Sequence, residues 1–569
     1  MSFFAKHKER FALAQEACAK RHCWSPYPDM PDKYPEAATA KEHGKLAFDQ
    51  HLKRGTFEID QPGIENWIGE EISPYTQKAL GILYPQSNLD ALFQSAEVAM
   101  STWATTPYEL RIGVLMEVID TLYQDHLFEV LHSVMHTAGQ SYNMAYAGSG
   151  VNALDRSIEA LVYAEQAMKS VTPSALWSRR FGSSDIQLQK TYRIVPKGIA
   201  VCFSCASFPT WNAWPSMMAS LATGNPVIVK PHPATVLPMA ITVKVFRDVL
   251  KAAGFDPNLV TLAVDSTTEP IGKILIKHPK TAIVDFTGSV KFGQWVEQNS
   301  HPAVAFTETA GCNTVVLESA IDLDAALRNL ATTMCLFSAQ MCTSPQNIYI
   351  PQAGVQTPTG MVPFDDVARR LADAIQALTS DPKKASMILA TIQSHQTLAL
   401  LKDMTEQAAQ RGQVLLSPTA YVHPDFPDAR TSTPLMMQVT PHEHDMYSQE
   451  RFGPISFVIR CQDAHDALTQ ATQDAKKHGG LTAFLYSTRE DFIEQAENAY
   501  AKAGAQLTIN LVGAMPLNFA AAYSDYHVTG LNPAGNATLT NLAFVTGRFG
   551  VVQSRRPVNT AETTRSANA

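Results

Sequence analysis

The stretch "LFSAQMCTSPQN", Leu336 to Asn347, places Cys342 between a helix-like segment and the apolar run "NIYIP". A thiol there is either a small buried filler or a nucleophile. Most free cysteines only pack, and reactivity needs a thiolate. A second candidate, Glu308, ends the apolar run "AVAFTETA". An unpaired carboxylate at such a position is costly. It is either satisfied by local donors or is a general base whose pKa burial raises. One strand and one long helix lead from Glu308 to Cys342. That path returns the chain to the same sheet edge, so base and nucleophile face one cleft.

"DFTGSVKFGQW" offers a third kind of chemistry. A strand ends at Phe286, the turn carries Gly288 and Ser289, and a helix containing Gly293 begins. Free N–H groups and the positive dipole end of such a helix suit a phosphate. In "GNPVIVKPHPATVLP", Lys230 leaves a strand end, where it is a solvated cap or a partner for a cofactor ribose. "YSQERFGPISFVI" carries Glu450 and Phe452 ahead of another strand. Cys202 and Cys205 form a C-x-x-C pair, but no second pair completes a zinc site, so they are read as core residues.

These groups need a scaffold, and the apolar patterning supplies one. Residues 1–70 are irregular and rich in Pro and Tyr, and read as an ordered extension. From about 75 to 175 the pattern is helical, with apolar residues at i, i+3, i+4 and i+7. "SDIQLQKTYRIVPKG" then alternates as a hairpin at about 183–197. Two successive series follow in which apolar strands alternate with helices, as parallel sheets covered on both faces require. Such sheets bind ligands beyond the carboxyl ends of their strands. The expected fold is α/β, with a first doubly wound domain over 71–307 and a second over 308–512. Residues 513–569 hold a strand in "LAFVTGRFGVVQSRR" and the polar tail "PVNTAETTRSANA".

With 569 residues, 45% of them hydrophobic, the chain can bury a large core. A net charge of −8, without a basic stripe, argues against nucleic acid as a partner. The N-terminus lacks the uninterrupted apolar core of a signal peptide, and no window is apolar enough to span a membrane. The eight cysteines follow no disulfide spacing. A cytoplasmic protein is expected.

Taken together, "ATGNPVIVKP", "FTGSVKFG", Glu308 in "TETAG", Cys342 in "AQMC" and "QERFGP" occur in the order and spacing of the aldehyde dehydrogenase superfamily. The resemblance covers residues from about 75 to 555. The wording "CASFPTWNAWPSMMASLATGNPVIVKPHPAT" and "CTSPQN" resembles a branch that acts in phenylacetate breakdown. The resemblance implies an aldehyde dehydrogenase-like fold with a small β oligomerisation arm, a homodimer or tetramer, and NADP or NAD as cofactor. It implies Cys342 as the nucleophile that forms a thiohemiacetal and then a thioester, and Glu308 as the base that releases the acid. Lys230 and Glu450 would hold the riboses. Ser289, with Gly288 and Gly293, would seat a phosphate, and Phe452 would pack beside the nicotinamide.

The sequence departs from the family in three places. Ser207 stands where the family has an oxyanion asparagine ahead of Phe-Pro, and Asn212 is expected to point elsewhere. Pro233 replaces a glutamate that many NAD-dependent members use on the adenosine ribose. Asn347 replaces an arginine after the nucleophile. Without that glutamate, Lys230 and His232 are expected to tolerate a 2′-phosphate, so NADP is expected to serve at least as well as NAD. The implied substrate is a CoA-linked semialdehyde. A CoA-acylating reductase and a non-catalytic binding relative are the alternatives.

Overall fold

Two parallel sheets follow one another along the chain. In this computed structural model residues 3–309, 311–536 and 541–558 are described. The first sheet has the order Val260–Leu262, Val227–Lys230, Ile199–Phe203, Thr281–Gly288, Val304–Thr309, with every pairing parallel. The strand Ile199–Phe203 is buried at every residue, as continuous apolar runs demand in a sheet covered on both faces. Strand order reverses beside this strand. The crevice beyond its end is therefore the natural ligand site.

The second sheet runs Gln413–Leu416, Leu435–Val439, Ile455–Cys461, Asn347–Pro351, Thr314–Leu317, Thr482–Tyr486, Gln506–Ile509. Only its first edge strand is antiparallel to its neighbour. Glu308 lies near the end of the last strand of the first sheet, and the first strand of the second sheet begins at Thr314.

A third, antiparallel sheet stands apart, with Ser184–Pro196 between Ser174–Phe181 and Phe549–Pro557. The stretch expected as a hairpin at about 183–197 is instead one strand, which pairs back onto Ser174–Phe181 and, on its other edge, with the C-terminal strand. "LAFVTGRFGVVQSRR" is not strand throughout. Asn541 accepts from Phe544 N–H and caps a short helix, Leu542–Thr546, and the strand starts only at Phe549. Most of the expected polar tail lies outside the described residues.

The first 70 residues are more regular than their composition indicates. They contain two 18-residue helices, Phe3–Lys20 and Ala37–Arg54. Their buried stripes are built from small residues such as Ala14, Ala17 and Gly44, which give little hydrophobic signal. The helices dock closely. A Cβ on Gly113 would lie 2.4 Å from the Phe4 nitrogen, and one on Gly44 would lie 2.3 Å from the Phe128 Cβ. Among the described residues no helix is long and apolar enough to cross a membrane.

Candidate active site

The loop that carries Cys342 is held in an unusual backbone shape. Phe337, Ser338 and Ala339 take positive φ of 50°, 51° and 52° in succession. Left-handed geometry costs a non-glycine residue roughly 1 kcal/mol or more. Surrounding hydrogen bonds hold the shape: Ser338 Oγ donates to the Leu389 carbonyl at 2.9 Å and Gln340 Nε2 to the Thr391 carbonyl at 2.8 Å. Asn313 Nδ2 then donates to the carbonyls of Cys342 at 2.7 Å and Ser344 at 2.9 Å. The Cys342 N–H has no acceptor among the described residues and is available to a ligand. The Cys342 side chain packs against Leu481, Val528 and Ala534. Burial, then the neighbouring Glu308 and Cys205, push its thiol well above the usual range.

Glu308 is 2% exposed, and both of its oxygens are held. Asn212 Nδ2 donates to Oε2 at 2.8 Å, and His527 Nε2 meets Oε1 at 2.8 Å. The same Nε2 lies 3.8 Å from Cys342 Sγ. Thiol, carboxylate and imidazole thus form one cluster, in which Glu308 and His527 are buried and Cys342 is half-buried. The segment that brings His527 here crosses tightly behind Glu308. Thr309 N–H donates to the Ala534 carbonyl at 2.7 Å, and a Cβ on Gly535 would sit 2.5 Å from the Thr307 carbonyl. Only glycine permits that approach.

Sequence reasoning missed His527. It is a lone histidine in "SDYHVTG", and no local pattern marks it. Asn212, expected to point elsewhere, has its side-chain amide on the Glu308 carboxylate. Ser207 contributes its carbonyl to Gln140 Nε2 at 2.7 Å, and its Oγ lies 4.0 Å from Cys205 Sγ. Its hydroxyl makes no hydrogen bond to Cys342. Asn347 is buried and donates to the Tyr447 carbonyl at 2.9 Å, so it serves the fold.

The residues expected to hold a dinucleotide lie at the strand ends of the first sheet, for Lys230, Gly288 and Ser289, and ahead of the strand Ile455–Cys461 of the second, for Glu450 and Phe452. Ser289 is exposed at the N-terminus of the helix Val290–Asn299 and makes no side-chain capping bond there. Gly293 and Gly288 keep that entry narrow: a Cβ would meet Thr309 Cγ2 at 2.4 Å and Phe286 Cζ at 2.7 Å. Glu450 is half-buried, with no hydrogen bond or ion pair to another described residue, and burial pushes its carboxyl up to about 8. Phe452 lies beside it on the wall shared with Met341. A helix N-terminus of this kind has the donors a phosphate needs, and an unpartnered carboxylate is an acceptor for hydroxyls.

Lys230 departs from expectation. Its Nζ is 2.5 Å from Asp265 Oδ1, and both side chains are buried. Burial pulls the lysine pKa down, and Asp265 opposes that shift. Glu70 lies close enough to act on both. His232 is exposed and uses Nδ1 to accept the Ala234 N–H at 3.1 Å. The two residues expected to attract a phosphate are therefore a neutralised lysine and a turn-capping histidine. Asp265 follows the strand Val260–Leu262 as an ordinary loop aspartate, so the sequence pattern does not mark it.

Two successive parallel sheets, with a thiol, a carboxylate and an imidazole gathered near where the chain passes from one to the other, form the frame of the candidate site. The aldehyde dehydrogenase family profile matches residues 66–518, and the chain belongs to that family. It is an aldehyde dehydrogenase. A solved NAD-dependent aldehyde dehydrogenase from Burkholderia multivorans is 43% identical, with a TM-score of 0.93 over 98% of this chain and 99% of that one. A 1-pyrroline-5-carboxylate dehydrogenase from Halalkalibacterium halodurans is 24% identical over 83% of this chain and 90% of its own length. A vanillin dehydrogenase from Corynebacterium glutamicum is 24% identical over 75% of this chain and 82% of its own.

Proposed function

We propose that this enzyme oxidises an aldehyde to a carboxylic acid through a thioester on Cys342, with NAD as the preferred cofactor. The contact cluster of Cys342 and Glu308 carries this reading. The Cys342 thiolate attacks the aldehyde carbonyl, and the oxyanion that forms is met by the free Cys342 N–H. Ser207, on the loop that follows Phe203, is the nearest counterpart of the family's side-chain donor. As a shorter group it would reach the oxyanion through a water. A bound nicotinamide supplies the hydride acceptor. Ser289 and the helix behind it would hold a phosphate, Lys230 and Glu450 the riboses, and Phe452 would flank the ring. Glu308 then takes a proton from water as it attacks the thioester, and the acid leaves. A base placed next to the sulfur favours hydrolysis over transfer of the acyl group to CoA.

The substrate we infer is a semialdehyde carrying a CoA thioester, formed by ring opening in aromatic-acid breakdown. The wording of the Ser207 and Cys342 motifs, which resembles phenylacetic acid degradation protein PaaN, supports it. A homo-oligomer joined through the small sheet is part of the same reading. The test follows reduced-cofactor absorbance with ring-opened phenylacetyl-CoA intermediates and simple aldehydes, with and without free CoA. Turnover without CoA, lost in Cys342→Ala while the cofactor still binds, is the expected result. Turnover only with CoA, or retained in Cys342→Ala, overturns it.

A further inference from the structure

Outside the Cys342 cluster the chain brings His444, Asp474 and His478 together, with one ligand atom of each lying within 4.8 Å of the others. Asp474 is buried and is the last residue of the helix Ala464–Asp474. The chain continues in a widened π turn, Ala475–Gly479, which carries His478. Such turns are frequent at functional sites. His444 comes from another element, the short helix His444–Tyr447.

Asp474 is satisfied without His478. Its Oδ2 accepts the Tyr349 hydroxyl at 2.5 Å, and its Oδ1 meets His444 Nε2 at 2.7 Å. His478 Nε2 stops 4.0 Å from that same Oδ1, too far for a hydrogen bond. The atom is buried and has no hydrogen-bond partner among the described residues. A buried nitrogen left in this way needs an explanation. The fully buried Tyr447 hydroxyl is unpartnered as well, and Asp474 is the charge that bears on it most. Burial holds the His478 pKa below its ordinary value, against the pull of Asp474. The ring is therefore neutral at pH 7, the form that binds a metal.

We propose that His444, Asp474 and His478 bind one zinc ion, with a water in the fourth position. Two imidazoles and a carboxylate are a zinc donor set. Bonds of about 2.0–2.1 Å place tetrahedral ligand atoms about 3.3 Å apart. The contacts of 2.7 Å and 4.0 Å lie on either side of that spacing, and shifts of about 0.7 Å reach it. The ion takes the place of the hydrogen between His444 Nε2 and Asp474 Oδ1. The His444 side chain is 44% exposed, and its Nδ1 bonds no described residue. The displaced proton therefore passes through solvent to Nδ1, and the ring stays neutral. Tyr349 orients the carboxylate from its other oxygen. The ion ties the helix His444–Tyr447 to Asp474. The Tyr447 carbonyl in turn accepts from Asn347 Nδ2 at 2.9 Å, so the site braces the corner that leads to Glu450.

The test uses the full chain carrying Cys342→Ala, because the thiol cluster is itself a set of zinc ligands. Calorimetric titration should show one zinc ion per chain with a micromolar or lower dissociation constant, and saturating zinc should raise the melting temperature. His478→Gln removes a nitrogen that makes no hydrogen bond, so its melting temperature in chelator should match the reference. It should bind zinc at least tenfold more weakly and lose the thermal shift. His444→Gln should bind as weakly. Cobalt in place of zinc should give the visible absorption of a four-coordinate ion. No zinc binding by the reference chain, or undiminished binding by a folded His478→Gln, overturns the proposal. Zinc bound only when Cys342 is present assigns the ion to the thiol and also overturns it. If neither histidine variant folds, the cobalt spectrum decides: a four-coordinate band upholds the site, and a six-coordinate band or none overturns it.

Discussion

Asn212 donates its side-chain amide to Glu308 Oε2 across 2.8 Å, in a contact buried on both sides. This bond, with His527 on the other oxygen, holds the Glu308 carboxylate in one orientation. Glu308→Gln keeps an oxygen for Asn212 and a similar volume but cannot accept a proton from water. Hydride transfer should survive and deacylation should stall. Rapid-mixing absorbance should show a burst of one reduced cofactor per active site, followed by a steady rate lower by about 10²–10⁴-fold. Multiple turnovers at an undiminished rate would refute the assignment.

Cofactor choice follows from Asp265. Pro233 is expected to take one carboxylate away from the ribose, but Asp265 and Glu70 supply two around Lys230. The Lys230–Asp265 pair is net neutral and Glu70 is the excess charge; at 4 Å and an effective dielectric of about 20 its repulsion of a 2′-phosphate would be about 4 kcal/mol. Even a third of that is tenfold in affinity. We therefore expect NAD to be preferred at least tenfold in kcat/KM, and in dissociation constants from fluorescence quenching. Asp265→Ser should narrow both ratios by tenfold or more. Equal use of the two cofactors by the wild type would show that Asp265 does not face the ribose.

Glu450 gives a pH signature. Burial pushes its carboxyl up to about 8. It is neutral below that value and anionic above it, and the anion is the better acceptor for a ribose hydroxyl. NAD affinity, measured by calorimetry, should strengthen severalfold between pH 7 and pH 9. Glu450→Gln should bind with little pH dependence in this interval. A flat wild-type profile would place Glu450 away from the ribose.

Assembly is expected to use the small sheet. Leu176 is 61% exposed and Val552 is 59% exposed there, on strands that present unpaired edges and apolar side chains together. Such a surface invites pairing with another copy. Light scattering at micromolar concentration should report a dimer or tetramer, and Val552→Glu should shift it toward monomer. A fully active monomeric wild type would rule this surface out.

What the sequence made legible was chemistry carried by short contiguous motifs. Cys342, Glu308, Ser289 and Glu450 sit at strand or helix ends, and local apolar periodicity marks those ends. Asn212, Asp265 and His527 earn their roles only when distant segments cross, and each sits in an ordinary-looking stretch. His527 reaches Glu308 because Gly535 lets a C-terminal segment lie flat against Thr307. The left-handed run before Cys342 carries no glycine to announce it. The N-terminal helices escaped notice because small residues line their buried faces and a Pro- and Tyr-rich stretch lies between them.

Those helices separate two kinds of boundary. The family match begins at residue 66, yet Phe4 and Phe128 close over glycines on partner helices far nearer than any other residue would allow. The unit that the family profile delimits is therefore smaller than the unit that folds. Trimming the chain at the match would strip the cover from Ile112, Leu115 and Leu131, which lie in the same core as Phe11 and Phe48. A product starting at residue 66 would keep Cys342 and Glu308 but carry an open wound of greasy surface. Heritable variation in this leading segment should thus register as lost solubility and abundance, well away from any change in substrate choice.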